Sequence, residues 1–361
     1  MENNNWIYDF KSKVPSFLEL MQINNYKHFK YTLTGDVNKN YNKWGLANTV
    51  YAVKIMYITG LLSNYKDVQI NNIYKKIITN TKLGGSIYDS YLTKLTAKDR
   101  LAKFIGNLNN ERLLSIRDTN RAETRQSFAA IYLLNKKPNQ PFLNLPKSEV
   151  EIESFLSDFN WQYPWHAGSH FSHLLFFLKM NAVFFEDKRD TSLIQAAVNW
   201  INNIQNKTNG SWYTGINLPI NQKINGAMKV LTGLEVANIK SFNYPEKLID
   251  MALLAANDAQ ACDNFNIVYV LYCANKLVPK YRFNDIEIFL INRLNLYKEY
   301  YHPEYGGFSF YKNQSNNVLY GKKLAESKSE PDIHGTIMFT WGLALIDKMI
   351  GLNLDFKVPL N

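Results

Sequence analysis

Six times along this chain a short polar cluster opens directly into an apolar run, a pattern that few folds accommodate. The openings are Trp44-Gly45-Leu46-Ala47-Asn48, Glu123-Thr124-Arg125-Gln126, His166-Ala167-Gly168-Ser169-His170, Asn225-Gly226-Ala227-Met228-Lys229, Cys262-Asp263-Asn264 and Asp332-Ile333-His334-Gly335. Runs such as Ser127 to Leu134 and Leu174 to Leu178 have no polar face, so as helices they belong inside other helices. The intervening segments are more mixed: Ile70 to Thr79, Glu149 to Asp158, Thr191 to Gln205, Pro245 to Ala256 and Asp285 to Tyr300. In the fourth, Leu248, Met251, Ala252 and Ala255 fall at i, i+3, i+4 and i+7, the stripe of an outer amphipathic helix. Inner apolar helices alternating with outer ones predict an all-α fold, an α/α toroid of roughly six helical hairpins.

The turns repeat a sign of their own. Gly84-Gly85-Ser86-Ile87-Tyr88, Gly210-Ser211-Trp212-Tyr213 and Gly306-Gly307-Phe308-Ser309-Phe310 each set glycine before an aromatic residue. Glycine supplies positive φ at a helix end, and the aromatic then plugs the gap between neighbouring hairpins. Their irregular spacing argues for quasi-symmetry rather than a tandem array. The proline-rich stretch Pro138 to Pro146 reads as a connection between hairpins, because the same pattern continues on both sides, and the expectation is one domain over residues 1–361.

With 46% hydrophobic and 14% aromatic residues the 361-residue chain can bury a large core. No apolar stretch is long enough for a transmembrane segment, and the polar start Met1-Glu2-Asn3-Asn4-Asn5 has no signal-type run, so a cytoplasmic location is expected. Cys262 and Cys273 are too few for a disulfide framework. The net charge of +10 is spread along the chain rather than massed in one tract. That distribution disfavours nucleic acid and suits an anionic small molecule or glycan as partner. Oligomeric state is not legible.

Ala197-x-x-Trp200-Ile201-x-x-x-Gln205-x-x-x-x-Gly210-x-Trp212 resembles the QW repeat of squalene and terpene cyclases, whose toroid is shared with protein prenyltransferase β-subunits. The likeness covers one repeat of the chain, with degenerate echoes at Gly85 and Gly307, and lacks the basic residue that often opens the motif. Related toroids occur in polysaccharide lyases and six-hairpin glycosidases, so the resemblance implies a fold more than a chemistry. The Asp-x-Asp-Asp acid of class II terpene cyclases is missing from the chain. The prenyltransferase likeness implies a zinc ion held by Asp258 or Asp263 with Cys262 and His334, but the Asp-x-Cys spacing of that family is not reproduced. No cofactor and no metal are therefore expected, with zinc as the alternative.

If each polar cluster is the first turn of an inner helix, Asn48, Arg125, His166, His170, Asn225, Asp263 and His334 gather at one end of the barrel. His166, His170 and His173 share a helix face; His173, deepest in the apolar run, reads as a core residue, while His166 and His170 sit at the helix mouth. The catalytic candidates are His166, His170, Asp263, Tyr269 and His334. The substrate-binding candidates are Trp44, Asn48, Glu123, Arg125, Gln126, Trp165, Trp212, Asn225, Lys229 and Asn264. Arg125 offers a bidentate partner for a carboxylate or phosphate, with pairing to Glu123 as its structural alternative. Aromatic residues line both sugar clefts and terpene cavities, but so many His, Arg and Asn neighbours make a wet mouth. The expected function is an enzyme acting on an acidic sugar or glycan, as lyase, epimerase or hydrolase. In elimination or epimerisation Arg125 and Asn225 neutralise the carboxylate while His166, His170 or Tyr269 moves the proton. Hydrolysis takes Glu123 and Asp263 as its carboxyl pair. The alternatives are an isoprenoid cyclase or prenyltransferase-like enzyme, with Arg125 and Lys229 holding a diphosphate, and a non-catalytic glycan- or peptide-binding toroid.

Overall fold

A computed structural model describes residues 5–94, 115–187 and 190–360. The described residues are mostly helical, in thirteen α-helices, and the strands among them are six pieces of two residues that pair as three separate hairpins. The all-α expectation therefore holds. Each of the six apolar runs is a helix: α2 (Leu46–Ile58), α5 (Ile116–Leu133), α7 (Pro164–Phe185), α9 (Ile220–Val236), α11 (Ala261–Leu277) and α13 (Ile333–Ile350). The mixed segments are helices too: α3 (Asp67–Ile78), α6 (Glu149–Ser157), α8 (Asp190–Asn203), α10 (Pro245–Leu253) and α12 (Phe283–Lys298). Helix α1 (Asn5–Met21) and the single turn α4 (Ser90–Thr93) complete the set.

Burial separates the two classes as periodicity predicts. In α2 every residue but Tyr57 is buried, whereas α3 buries only Ile73 and Ile77, and α6 only Ile152 and Leu156. A helix with a single apolar stripe covers its neighbour and leaves the other face to water.

The described residues form two compact units, one drawn from 1–139, 296–341 and 354–359, the other from 140–295, 342–353 and 360–361. In the first, α2 packs on α3 and α5; in the second, α7 packs on α8 and α9, α11 packs on α9 and α10, and α6 on α8. The glycine turns are equivalent across the chain. Gly84, Gly210 and Gly306 all have positive φ, and each turn closes an antiparallel bridge: Thr81 with Ile87, Gln205 with Trp212, Tyr301 with Phe308. Gln205 Nε2 also donates to the carbonyls of Gly210 and Asn243, at 2.8 and 2.6 Å, so the QW-like segment fastens a helix end.

The α7–α9 contact needs small residues. A methyl group at Gly226 would lie 2.4 Å from Cβ of Pro164, and one at Gly233 would lie 2.9 Å from Cα of Ser172. Gly226→Ala is expected to destabilise the chain by about 1–3 kcal/mol, because overpacking against a proline ring outweighs the roughly 1 kcal/mol that alanine gains as a helix former. Chemical denaturation checks this, and a stabilised variant would show that the helices separate freely.

Candidate functional site

Two of the six openings are not helix starts. Helix α5 begins at Ile116, where Ser115 Oγ accepts from Asp118 N at 3.1 Å and Asp118 Oδ2 accepts from Ser115 N at 3.2 Å, a reciprocal capping box. Glu123, Arg125 and Gln126 consequently lie inside the helix rather than in its first turn. Helix α9 begins at Ile220, which likewise moves Asn225 and Lys229 inward. The expectation failed because polar residues before these clusters extend the helix, and a local cap outranks the start of the apolar run.

In the first unit, the face of α5 that carries Glu123, Gln126 and Ser127 at i, i+3 and i+4 meets the face of α2 that carries Ala47, Val50 and Tyr51. With Leu46 and Tyr320 these residues line one narrow pocket, whose inner space of ≈ 10 Å³ is that of about one water-sized group. Glu123 is buried; its Oε2 accepts from Asp89 N at 2.8 Å, and its Oε1 has no hydrogen-bond partner among the described residues. Ser127 Oγ is in the same position. Burial, reinforced by the neighbouring Asp89, holds the Glu123 carboxyl well above the ordinary carboxylate range and favours its protonated form. Asp89 itself is a helix cap: Oδ1 accepts from Tyr91 N and Oδ2 from Gly45 N, which fixes the entry to α2.

One helical turn beyond Tyr51, Lys54 is buried, donates to Gln126 Oε1 and lies 5.1 Å from the ring centre of Trp341. Sequence reading missed Lys54 because it stands in mid-run, where a lysine looks like an interruption of the apolar face. Its i+3 relation to Tyr51 was the available signal.

Tyr51 ties this pocket to the start of α13. Its ring stacks on His334 at 4.9 Å with an interplanar angle of 12°, and Phe310 flanks the same imidazole at 4.7 Å. Nδ1 of His334 faces Asn316 Nδ2 at 3.2 Å, with Tyr31 OH 3.5 Å away. Asn316 Oδ1 accepts from Val318 N, so the amide presents its NH₂ to the ring. Nδ1 must then be the acceptor, and the proton sits on Nε2. Burial drives His334 down to about 3, which keeps it neutral, and drives the adjacent Asp332 up to about 7. Asp332 is held by the backbone: Oδ2 accepts from Phe310 N at 2.8 Å and Asn316 N at 2.9 Å, and Oδ1 from Gly335 N at 2.7 Å. That carboxyl pins the loop carrying Phe310 and Asn316 onto α13, which is how a histidine at a helix mouth acquires a fixed tautomer.

Tyr320 is a further residue that the sequence did not signal. It stands at φ 52° beside Gly321 at φ 82°, in the two-residue turn between Val318–Leu319 and Lys322–Lys323. Such turns favour Asn-Gly; a tyrosine at positive φ is strained there and persists because its surroundings hold it. It lines the pocket.

The other expected first-unit residues are buried and do not line this pocket. Trp44 is buried, donates from Nε1 to Asn38 O and stacks on Tyr41 at 5.5 Å. Asn48 is fully buried and donates to Phe29 O. Arg125 is buried on α5 away from the residues that line the pocket.

In the second unit, Asn225 Nδ2 donates to Asp263 Oδ1 at 3.1 Å while its Oδ1 accepts from Asn266 and Asn257. Burial raises the Asp263 carboxyl, and the Asn225 hydrogen bond pulls it back. Lys229 covers the ring of Trp165 at 5.5 Å. His166 and His170 face each other through Nε2 at 3.3 Å. His173 is buried with Nε2 3.4 Å from Ser169 Oγ, the core residue expected. Three expected residues are buried in packing or capping contacts. Trp212 is fully buried and packs on Phe242. Asn264 is fully buried, donating to Asp258 O and Gln260 O and accepting from Arg293. Tyr269 is buried against Phe265. Each of the three is a packing or capping element, for which the same residue types serve as well as for ligand contact.

No helix among the described residues is long and apolar enough to cross a membrane. No family model matches the chain, and the comparison with curated proteins finds no match.

Proposed function

We propose that the first unit holds an acidic sugar of a glycan at the mouth of this pocket, with no more than one small group of the sugar inside it, and removes the proton next to the carboxylate, in β-elimination or epimerisation, on a helical frame arranged as an α/α toroid. The observation that carries this reading is His334, driven neutral by burial and facing the Asn316 NH₂ through Nδ1, from which we infer that its ring proton is on Nε2. Above pH 3 or so such an imidazole is a hydrogen-bond donor that brings no charge, suited to stabilising the enolate that forms when a uronate loses its α-proton. Glu123, whose carboxyl burial raises, is assigned as the acid for a leaving oxygen, and Lys54, which donates to the pocket residue Gln126, as a polar group behind it. With Asp332 and Glu123 both pushed upward, repulsion of a carboxylate is small.

In elimination the base takes the α-proton, a carbon–carbon double bond forms, the adjacent carbon–oxygen bond breaks, and Glu123 protonates the departing oxygen. Tyr320 is assigned as the base, because it lines the same pocket; it would act as the phenolate and become the phenol on taking the proton. In epimerisation the proton returns from the opposite face and no bond to oxygen breaks. Hydrolysis is less well supported, since it needs an ionised carboxylate beside an acid and burial disfavours the ionised form of Glu123.

Both favoured reactions start from the same step, so one experiment tests both. Uronate-containing glycans incubated with the protein in deuterated water are expected to exchange the α-proton, with unsaturated ends accumulating if the enzyme is a lyase. Absence of exchange across polyuronates and glycosaminoglycans, together with binding of an isoprenoid diphosphate, would replace this reading with the isoprenoid one.

A further inference from the structure

The first-unit site leaves the histidine pair of α7 without a role, and the geometry of that pair is specific. We propose that His166 and His170 form a two-histidine half-site for a divalent ion of the zinc type. The residues are four apart, so they stand one above the other on the same helix face. Their Nε2 atoms, rather than ring edges, converge to 3.3 Å. A tetrahedral zinc with Zn–N bonds of about 2.0–2.1 Å places two ligating nitrogens about 3.3 Å apart, whereas cis positions of an octahedral ion at the same bond length would place them about 2.9 Å apart. The 3.3 Å separation is compatible with two ligands of one tetrahedral ion, and without an ion the two nitrogens are close enough to share a hydrogen bond.

Packing fixes the pair before any ion arrives. Phe159 lies 3.9 Å from the centre of the His170 ring, tilted by 34°, and 6.1 Å from that of His166, while Phe155 is 6.2 Å from His170. Locked rings lose little freedom on ligation, and an apolar flank strengthens the bond by excluding water. His170 is buried and His166 half-buried, so the half-site is approached from the His166 side. His173, the third histidine of this face, is not part of it, because its Nε2 is directed at Ser169. The first turn of a helix disfavours a cation slightly, a penalty small beside two coordinate bonds. Imidazole donors select zinc, copper, nickel or cobalt over magnesium and calcium, which require oxygen.

The test uses the full chain with Cys262→Ser, so that the partly exposed thiol does not contribute. After chelation and dialysis, zinc is titrated by calorimetry and cobalt by its visible bands. One ion per chain is expected at micromolar concentration, with the intense bands of a tetrahedral cobalt site and no competition from excess magnesium. His166→Ala and His170→Ala should each weaken binding at least about tenfold. If His170→Ala fails to fold, His166→Ala decides alone, because His166 contributes little to the core. No uptake at a hundredfold higher zinc, or uptake indifferent to His166→Ala, overturns the site. Proton exchange on uronates is read separately, so failure of the metal site leaves the first-unit reading intact and the converse also holds.

Discussion

Replacing His334 with alanine is expected to lower turnover on an acidic glycan by roughly a hundredfold or more, the usual loss when one preorganised donor to a developing oxyanion is removed. The effect should fall on kcat, because Nε2–H matters most when charge has moved onto the carboxylate, and KM should change little. Stability should fall by only about 0.5–1.5 kcal/mol for each lost ring contact, with Tyr51 and with Phe310. His334→Asn keeps a donor near the same place and should recover part of the rate. Steady-state kinetics beside thermal unfolding separates the outcomes: if kcat stays near the parent value while the unfolding midpoint collapses, His334 is a packing element and the assignment is wrong.

Asp332→Ala is expected to have the larger effect on folding. The carboxyl is fully buried and accepts from the backbone N–H groups of Phe310, Asn316 and Gly335. Deleting it strands three donors where water does not reach, at about 1–3 kcal/mol for each unsatisfied group. A loss of at least about 3 kcal/mol follows, a large part of the stability of an ordinary domain. Asn316 and Phe310 would also be released from the imidazole, so activity should vanish in whatever fraction stays folded. Asp332→Asn should be intermediate, since it keeps one acceptor oxygen but turns an amide NH₂ toward N–H groups. Urea denaturation followed by circular dichroism reads the series, and a parent-like midpoint for Asp332→Ala would mean that the loop is held by other contacts.

How much of this was legible in advance depended on whether a signal was local. All six inner runs and all five outer segments are helices where periodicity puts them, because a buried helix and a half-buried one demand different residue patterns whatever their neighbours are. The glycine turns at Gly84, Gly210 and Gly306 were legible for the same reason: positive φ excludes most other residues. The exact helix starts were less so. Ser115 with Asp118 begins α5 two turns before Glu123, a cap of ordinary form that the apolar run after Glu123 overshadowed.

The site divides along the same line. His334, Glu123 and Gln126 were named from sequence because polar residues beside an apolar run are costly to bury without purpose. Trp44, Trp212 and Asn264 carried the same signature, yet they pack or cap, and nothing in their own segments distinguishes the two uses. Lys54, Tyr320 and Asn316 were invisible for a different reason. Their partners are distant in sequence: Gln126 for Lys54, the pocket of α2 and α5 for Tyr320, His334 for Asn316. Sequence alone determined which stretches are helical and which faces they bury, since those follow from the polarity of each segment. Only tertiary structure decided which polar groups meet, which protonation state burial imposes on them, and that the proton of His334 rests on Nε2, because each of these is set by atoms brought together from separate parts of the chain.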